Sequence, residues 1–137
     1  MNLDSSAFVG DRDLILALSD QSAPVDCSRD HVLFRQGDEP NGLYIVHRGD
    51  VSMTMRAPDG ELVVEIAVQP GSLLGLPGVV GNCPYSLSAI ARSGAEIGFI
   101  SRDALSKLML YDPAVGILIL RVLAAEVRTA RIAACKG

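Results

Sequence analysis

The stretch from Val51 to Val68 constrains the fold most. Val51-Ser52-Met53-Thr54-Met55-Arg56 alternates apolar and polar, Pro58-Asp59-Gly60 makes a tight turn, and Glu61 to Val68 returns with Leu62, Val64, Ile66 and Val68 on one face. A period of two places every second side chain on the same side of a strand, so this is a hairpin buried on one face and wet on the other. Such a hairpin needs a second layer. Further short strands are predicted over 31–35, 43–48, 86–92 and 95–100, with the turn cluster Gln36 to Gly42 and the breaks Gly49-Asp50, Pro70-Gly71 and Ser93-Gly94 between them. Many short strands with frequent turns predict a β-sandwich or barrel, most naturally a jelly roll, with Gly37, Gly49 and Gly60 at its corners.

Helices flank the strands. Asp11 to Leu18 carries Leu14, Ile15 and Leu18 at helical spacing, and Ser101 is an N-cap for a helix over 102–110. Asp112-Pro113 is a strong helix start, and after it only Gly116 weakens the pattern up to about Ala134. A helix of about 22 residues is about 33 Å long, more than a domain of this size needs for its own packing. Its apolar residues form two seams, one of Val115, Leu118, Val122 and Ala125, the other of Ile117, Leu120, Ala124 and Val127. One seam is expected to cover the strands. The first is assigned to the same helix of a second chain, giving a homodimer; the alternative is a helix buried wholly within its own domain. The chain then divides into an N-terminal helical segment (1–24), a jelly roll (25–100) and C-terminal helices (101–137) of one domain.

Composition excludes several function classes. The net charge is −4 and Lys and Arg form no run, so nucleic-acid binding by this chain alone is not expected. Cys27, Cys83 and Cys135 are far apart, and His31 and His47 have no partners at ligand spacing, so neither a disulfide framework nor a metal site is expected. No nucleophile elbow, P-loop or Ser-His-Asp pattern points to an enzyme. The first residues lack a signal-peptide pattern and no apolar run reaches a membrane span, so a cytoplasmic protein is expected.

Gly71 to Ala91 interrupts the strands with four glycines before Asn82 and with Pro77 and Pro84. Long irregular stretches in compact β domains tend to carry function, and glycine-rich backbone can form an anion-binding nest.

The run Val32 to Val51 resembles the cyclic-nucleotide-binding domain family, and more narrowly the sensor half of Crp/Fnr-type bacterial regulators. Phe34-Arg35-Gln36-Gly37-Asp38 matches the Phe-x-x-Gly-Asp turn of that family, and Leu43-Tyr44-Ile45-Val46 with Gly49 and Val51 matches its next strand. The resemblance extends over about residues 10 to 135. It implies a double-stranded β-helix (jelly roll), a cassette at 71–91 and a long dimerisation helix. Crp/Fnr-type regulators continue into a helix-turn-helix domain, whereas the present sequence stops at Gly137.

In nucleotide-binding members the cassette resembles Phe-Gly-Glu-hydrophobic, then a short helix, then Pro-Arg-Ala/Ser. The Glu takes the ribose hydroxyl and the Arg pairs with the cyclic phosphate. Gly75 and Pro84 match, Ser86 follows, but Leu76 stands at the Glu position and Tyr85 at the Arg position. Two lost charge-assisted hydrogen bonds, at about 1.5–3 kcal/mol each, lower affinity by roughly two to four orders of magnitude. The candidate ligand-binding residues are therefore Gly75, Leu76, Pro77, Gly78, Val79, Pro84, Tyr85, Ser86 and Ser88, joined from the long helix by Arg128, Thr129 and Arg131. Tyr85 either donates its hydroxyl to an anion or covers the pocket as a half-buried aromatic. The expected function is a regulatory sensor and dimerisation module that does not bind cAMP in the family manner, its cassette holding another small, anionic or partly apolar ligand or none. A divergent true nucleotide binder using Arg128 or Arg131, and a partner-binding module with a vestigial pocket, are the alternatives.

Overall fold

The computed structural model describes the backbone of residues 5–136 and the side chains of residues 5–127. A 3-10 turn, Ser5–Phe8, and helix α1, Arg12–Asp20, lead into strands β1 (Ala23–Val25), β2 (His31–Phe34), β3 (Gly42–Arg48), β4 (Val51–Arg56), β5 (Leu62–Ala67) and β6 (Ser72–Leu74). Helix α2 (Leu76–Gly81) follows, then β7 (Ser88–Ala91), β8 (Glu96–Ser101), α3 (Arg102–Tyr111) and α4 (Pro113–Lys136).

Among the described residues the strands form two four-stranded sheets, β1-β8-β3-β6 and β2-β7-β4-β5, with every pairing antiparallel. Most connections pass from one sheet to the other, which makes the predicted jelly roll. The alternating hairpin is β4–β5: Met53 pairs with Ile66 and Met55 with Val64. Val51, Met53, Val64 and Ile66 point into the core. Leu62 departs from its expected face and is 41% exposed, because the register shifts between Met55 and Arg56 and turns the strand end outward.

The interruption at 71–91 is more ordered than its composition suggests. Ser72–Leu74 pairs with β3 and is buried along its whole length. So short a strand, covered on both faces, shows no alternation to read. In β3 the neighbours Ile45 and Val46 are both fully buried, so this strand is covered on both faces too.

The helix caps form as expected. The Ser101 hydroxyl accepts from the Ala104 N–H at 3.1 Å, and the Asp112 carboxylate accepts from the Ala114 N–H at 3.2 Å. At Asp112 the chain bends by 119° between α3 and α4. Among the described residues no single helix is long and apolar enough to cross a membrane.

The seam assignment on α4 is reversed. Val115, Ile119 and Val122 are 2%, 0% and 4% exposed, and Leu118 packs partly against the same core. Ala125, on the same seam, is half-buried. Ile119, which belongs to neither predicted seam, centres the docked face and carries Val115 and Val122 inward with it at i−4 and i+3. The outward apolar line is Ile117, Leu120, Ala124 and Val127. The 3-10 turn, α1 and α3 all pack against α4.

Candidate functional site

The cassette is built on Tyr85. Its ring is 4% exposed and stacks on Phe34, with centroids 4.2 Å apart. Its hydroxyl donates to the Gly42 carbonyl at 2.6 Å and accepts from the Gly42 N–H at 3.1 Å. Its own N–H donates to the Asp38 carbonyl at 3.0 Å, and its carbonyl accepts from the Gly37 N–H at 2.8 Å. Both backbone groups and the hydroxyl thus bind the cassette to the β2–β3 turn. Burial pushes the Tyr85 phenol above its ordinary range, so it stays protonated. The hydroxyl donates to and accepts from Gly42, so of its two expected roles Tyr85 takes the covering one in this structure.

Gly75 opens α2 at φ +92°, and a Cβ there would lie 2.7 Å from the Tyr85 ring. Left-handed backbone and close ring contact both require glycine. Pro77, the second helical residue, carries no N–H, which removes one donor from the helix start.

Beneath Tyr85 lies a cavity of about 250 Å³ between the cassette, β4 and α4. Of the residues expected at the site, Gly75, Pro77, Gly78, Tyr85 and Ser86 line it. Leu76 does not: it is 0% exposed and belongs to the core, as does Val79. Pro84 faces solvent, and the Ser88 hydroxyl accepts from the Gln36 N–H at 2.8 Å. The side chains of Arg128, Thr129 and Arg131 lie outside the described residues.

The rest of the lining was not anticipated. Phe8, Phe34, Met53, Met55 and Leu87 give apolar walls, and α4 contributes Glu126 and Val127. Glu126 is the only acidic residue in α4, a signal that was available in the sequence. Its Oε2 is shut off from solvent with no hydrogen-bond partner among the described residues. Burial pushes its carboxyl up to about 8. No group of three or more metal-ligating side chains occurs among the described residues.

The family model for the cyclic nucleotide-binding domain matches residues 24–112. The chain belongs to the cyclic nucleotide-binding domain family. Within it, the chain is similar to a CRP-like cAMP-activated global transcriptional regulator from Mycobacterium tuberculosis, at 32% identity over 83% of this chain and 51% of the regulator. It therefore spans about half the length of that relative. Among solved structures it resembles the Thermus thermophilus catabolite activator protein, with TM-score 0.78 and 25% identity over 93% of this chain and 61% of that one. The N-terminal domain of a transcriptional regulator from Streptomyces coelicolor shares the fold, with TM-score 0.67 and 24% identity over 88% of this chain and 86% of that one. The cavity of the present family member lies between its jelly roll, its cassette and its long helix.

Proposed function

We propose that the chain is the ligand-sensing and dimerisation module of a Crp-like cytoplasmic regulator, and that its cassette does not take cAMP in the manner of the family. The observation that carries this reading is the position of the two substituted residues. Leu76, at the place of the ribose-binding Glu, is 0% exposed in the core, and Tyr85, at the place of the phosphate-binding Arg, is fully engaged with Gly42. Calorimetric titration with cAMP and with cGMP is expected to show no binding in the micromolar range; a micromolar dissociation constant for either would overturn it. A divergent cyclic-nucleotide binder is the second reading, favoured by the likeness to a cAMP-activated regulator. Under it, Arg128→Ala or Arg131→Ala abolishes the micromolar binding.

The dimer rests on the outward face of α4. Ile117, Leu120 and Val127 are 56%, 63% and 56% exposed. With Ala124 they are spaced three, four and three residues apart, the spacing of a coiled-coil seam. A second copy of α4 is the simplest cover. Leu120→Glu is expected to convert a dimer into a monomer in light scattering at tens of micromolar protein, while the circular dichroism spectrum stays unchanged; a wild-type monomer under those conditions excludes this dimer. Val127 lies both on this seam and in the cavity lining, so an occupant of the cavity touches the turn of α4 that meets the second chain.

A further inference from the structure

Building on the non-nucleotide reading of the cassette, we infer that the cavity selects a compact, mostly apolar amine, with the ligand ammonium on the Glu126 carboxylate, and excludes anions. The cavity of about 250 Å³ is smaller than the roughly 300–1,000 Å³ of sites for drug-sized ligands, yet larger than the ~150 Å³ apolar cavity that accommodates benzene. Its polar side chains among the described residues are Tyr85, Ser86 and Glu126. The Tyr85 hydroxyl is committed to Gly42, and Ser86 lies at the exposed rim. Glu126 is half-buried, and on this apolar lining its Oε2 is shut off from solvent with no hydrogen-bond partner among the described residues.

A buried carboxylate in such a place has two forms of relief, a proton or a cation. Among the described residues, the groups facing it leave the choice to the ligand. The 3-10 turn presents Phe8, β2 presents Phe34, β4 presents Met53 and Met55, and the cassette presents Tyr85 as its one titratable group. Asp11, just before α1, lies 3.7 Å from Arg121 of α4 and balances that cation. A ligand ammonium supplies the missing partner in a charge-assisted hydrogen bond, while Phe34 and the methionines cover its hydrocarbon body. An anionic ligand would place a second buried negative charge beside the first.

The proton balance distinguishes an amine from other occupants. Burial pushes the Glu126 carboxyl up to about 8, so at pH 7 it is mainly protonated. Binding of an ammonium then releases one proton from Glu126 to buffer, and affinity rises by up to about tenfold per pH unit below that value. The test uses three probes of one shape: 2-phenylethylamine, 2-phenylethanol and phenylacetate. Calorimetry on the full chain between pH 6 and 8, in two buffers of different ionisation enthalpy, is expected to find the amine tightest at pH 8. It should bind at least about tenfold more tightly than the alcohol and release close to one proton per site at pH 6. Glu126→Gln is expected to weaken the amine at least tenfold at pH 8, to remove its pH dependence and to leave the alcohol unchanged. Tighter binding of the alcohol or of phenylacetate, amine binding without proton release, an unaltered pH slope in Glu126→Gln, or no saturable binding of the amine would each overturn the inference. The probe series on the wild-type chain decides even if the variant fails to fold. Such a failure leaves the non-nucleotide reading standing, which only cAMP or cGMP binding removes.

Discussion

Tyr85→Phe is expected to lower the stability of the domain by about 2–4 kcal/mol, with a fall in Tm on the order of 10 °C. The substitution keeps the ring on Phe34 and removes only the hydroxyl that both donates to and accepts from Gly42. The Gly42 N–H and C=O, at the buried start of β3, then lose their cassette partner, and a buried polar group left unsatisfied costs about 1–3 kcal/mol. Space around Gly42 is closed: a Cβ there would lie 2.4 Å from the Ile100 carbonyl oxygen. Water has little room to replace the hydroxyl. Chemical denaturation monitored by circular dichroism measures the change. A loss below about 0.5 kcal/mol would mean that Gly42 finds other partners and that Tyr85 holds the cassette by its ring alone.

The position of Tyr85 also shows where sequence reasoning reaches and where it stops. The jelly roll was legible because its signals are local: the period-two hairpin, the turn clusters, Ser101 and Asp112 as caps. Gly75 is equally local, since it sets a left-handed backbone where it stands, whereas Pro84 faces solvent outside the cavity lining. Tyr85 was open between two roles because its partner, Gly42, is 43 residues away in sequence, and only the folded chain brings the hydroxyl to that backbone. Leu76 was read as a pocket residue from its alignment with the family's Glu, but its apolar side chain has turned into the core. The seams of α4 were separated correctly and assigned the wrong way round, since the periodicity of a helix apolar on two faces does not say which face meets its own domain. Ile119, fully buried between Val115 and Val122, decides that.

Glu126, missed in the sequence, carries the largest pH effect expected of this chain. Its carboxyl goes from the ordinary value of 4.5 to about 8 on folding, so between these values the folded chain holds a proton that the unfolded chain has lost. Its stabilising contribution is complete below about pH 4.5 and is lost as pH rises toward 8. The slope approaches about 1.4 kcal/mol per pH unit, and the accumulated loss has a ceiling of roughly 5 kcal/mol, reached only if α4 stays docked rather than lifting to hydrate the carboxylate. Other shifted carboxylates act in a different window with the opposite sign. Hydrogen bonds from Ser28, Ser93 and Arg48 hold Asp26, Asp30 and Glu96 below their ordinary values, so their contributions fade only as the solution becomes acidic. Urea denaturation of wild type and Glu126→Gln from pH 5 to 8.5 isolates the effect, because contributions common to both proteins cancel in the difference. The two stability curves are expected to diverge as pH rises, with the variant flatter and more stable by several kcal/mol at pH 8.5. Parallel curves would mean that Glu126 is hydrated in solution. A saturating amine restores the wild-type chain toward the variant at high pH by pairing the carboxylate that burial leaves alone, so the same titration that measures the cost of Glu126 also measures how much of it a ligand relieves.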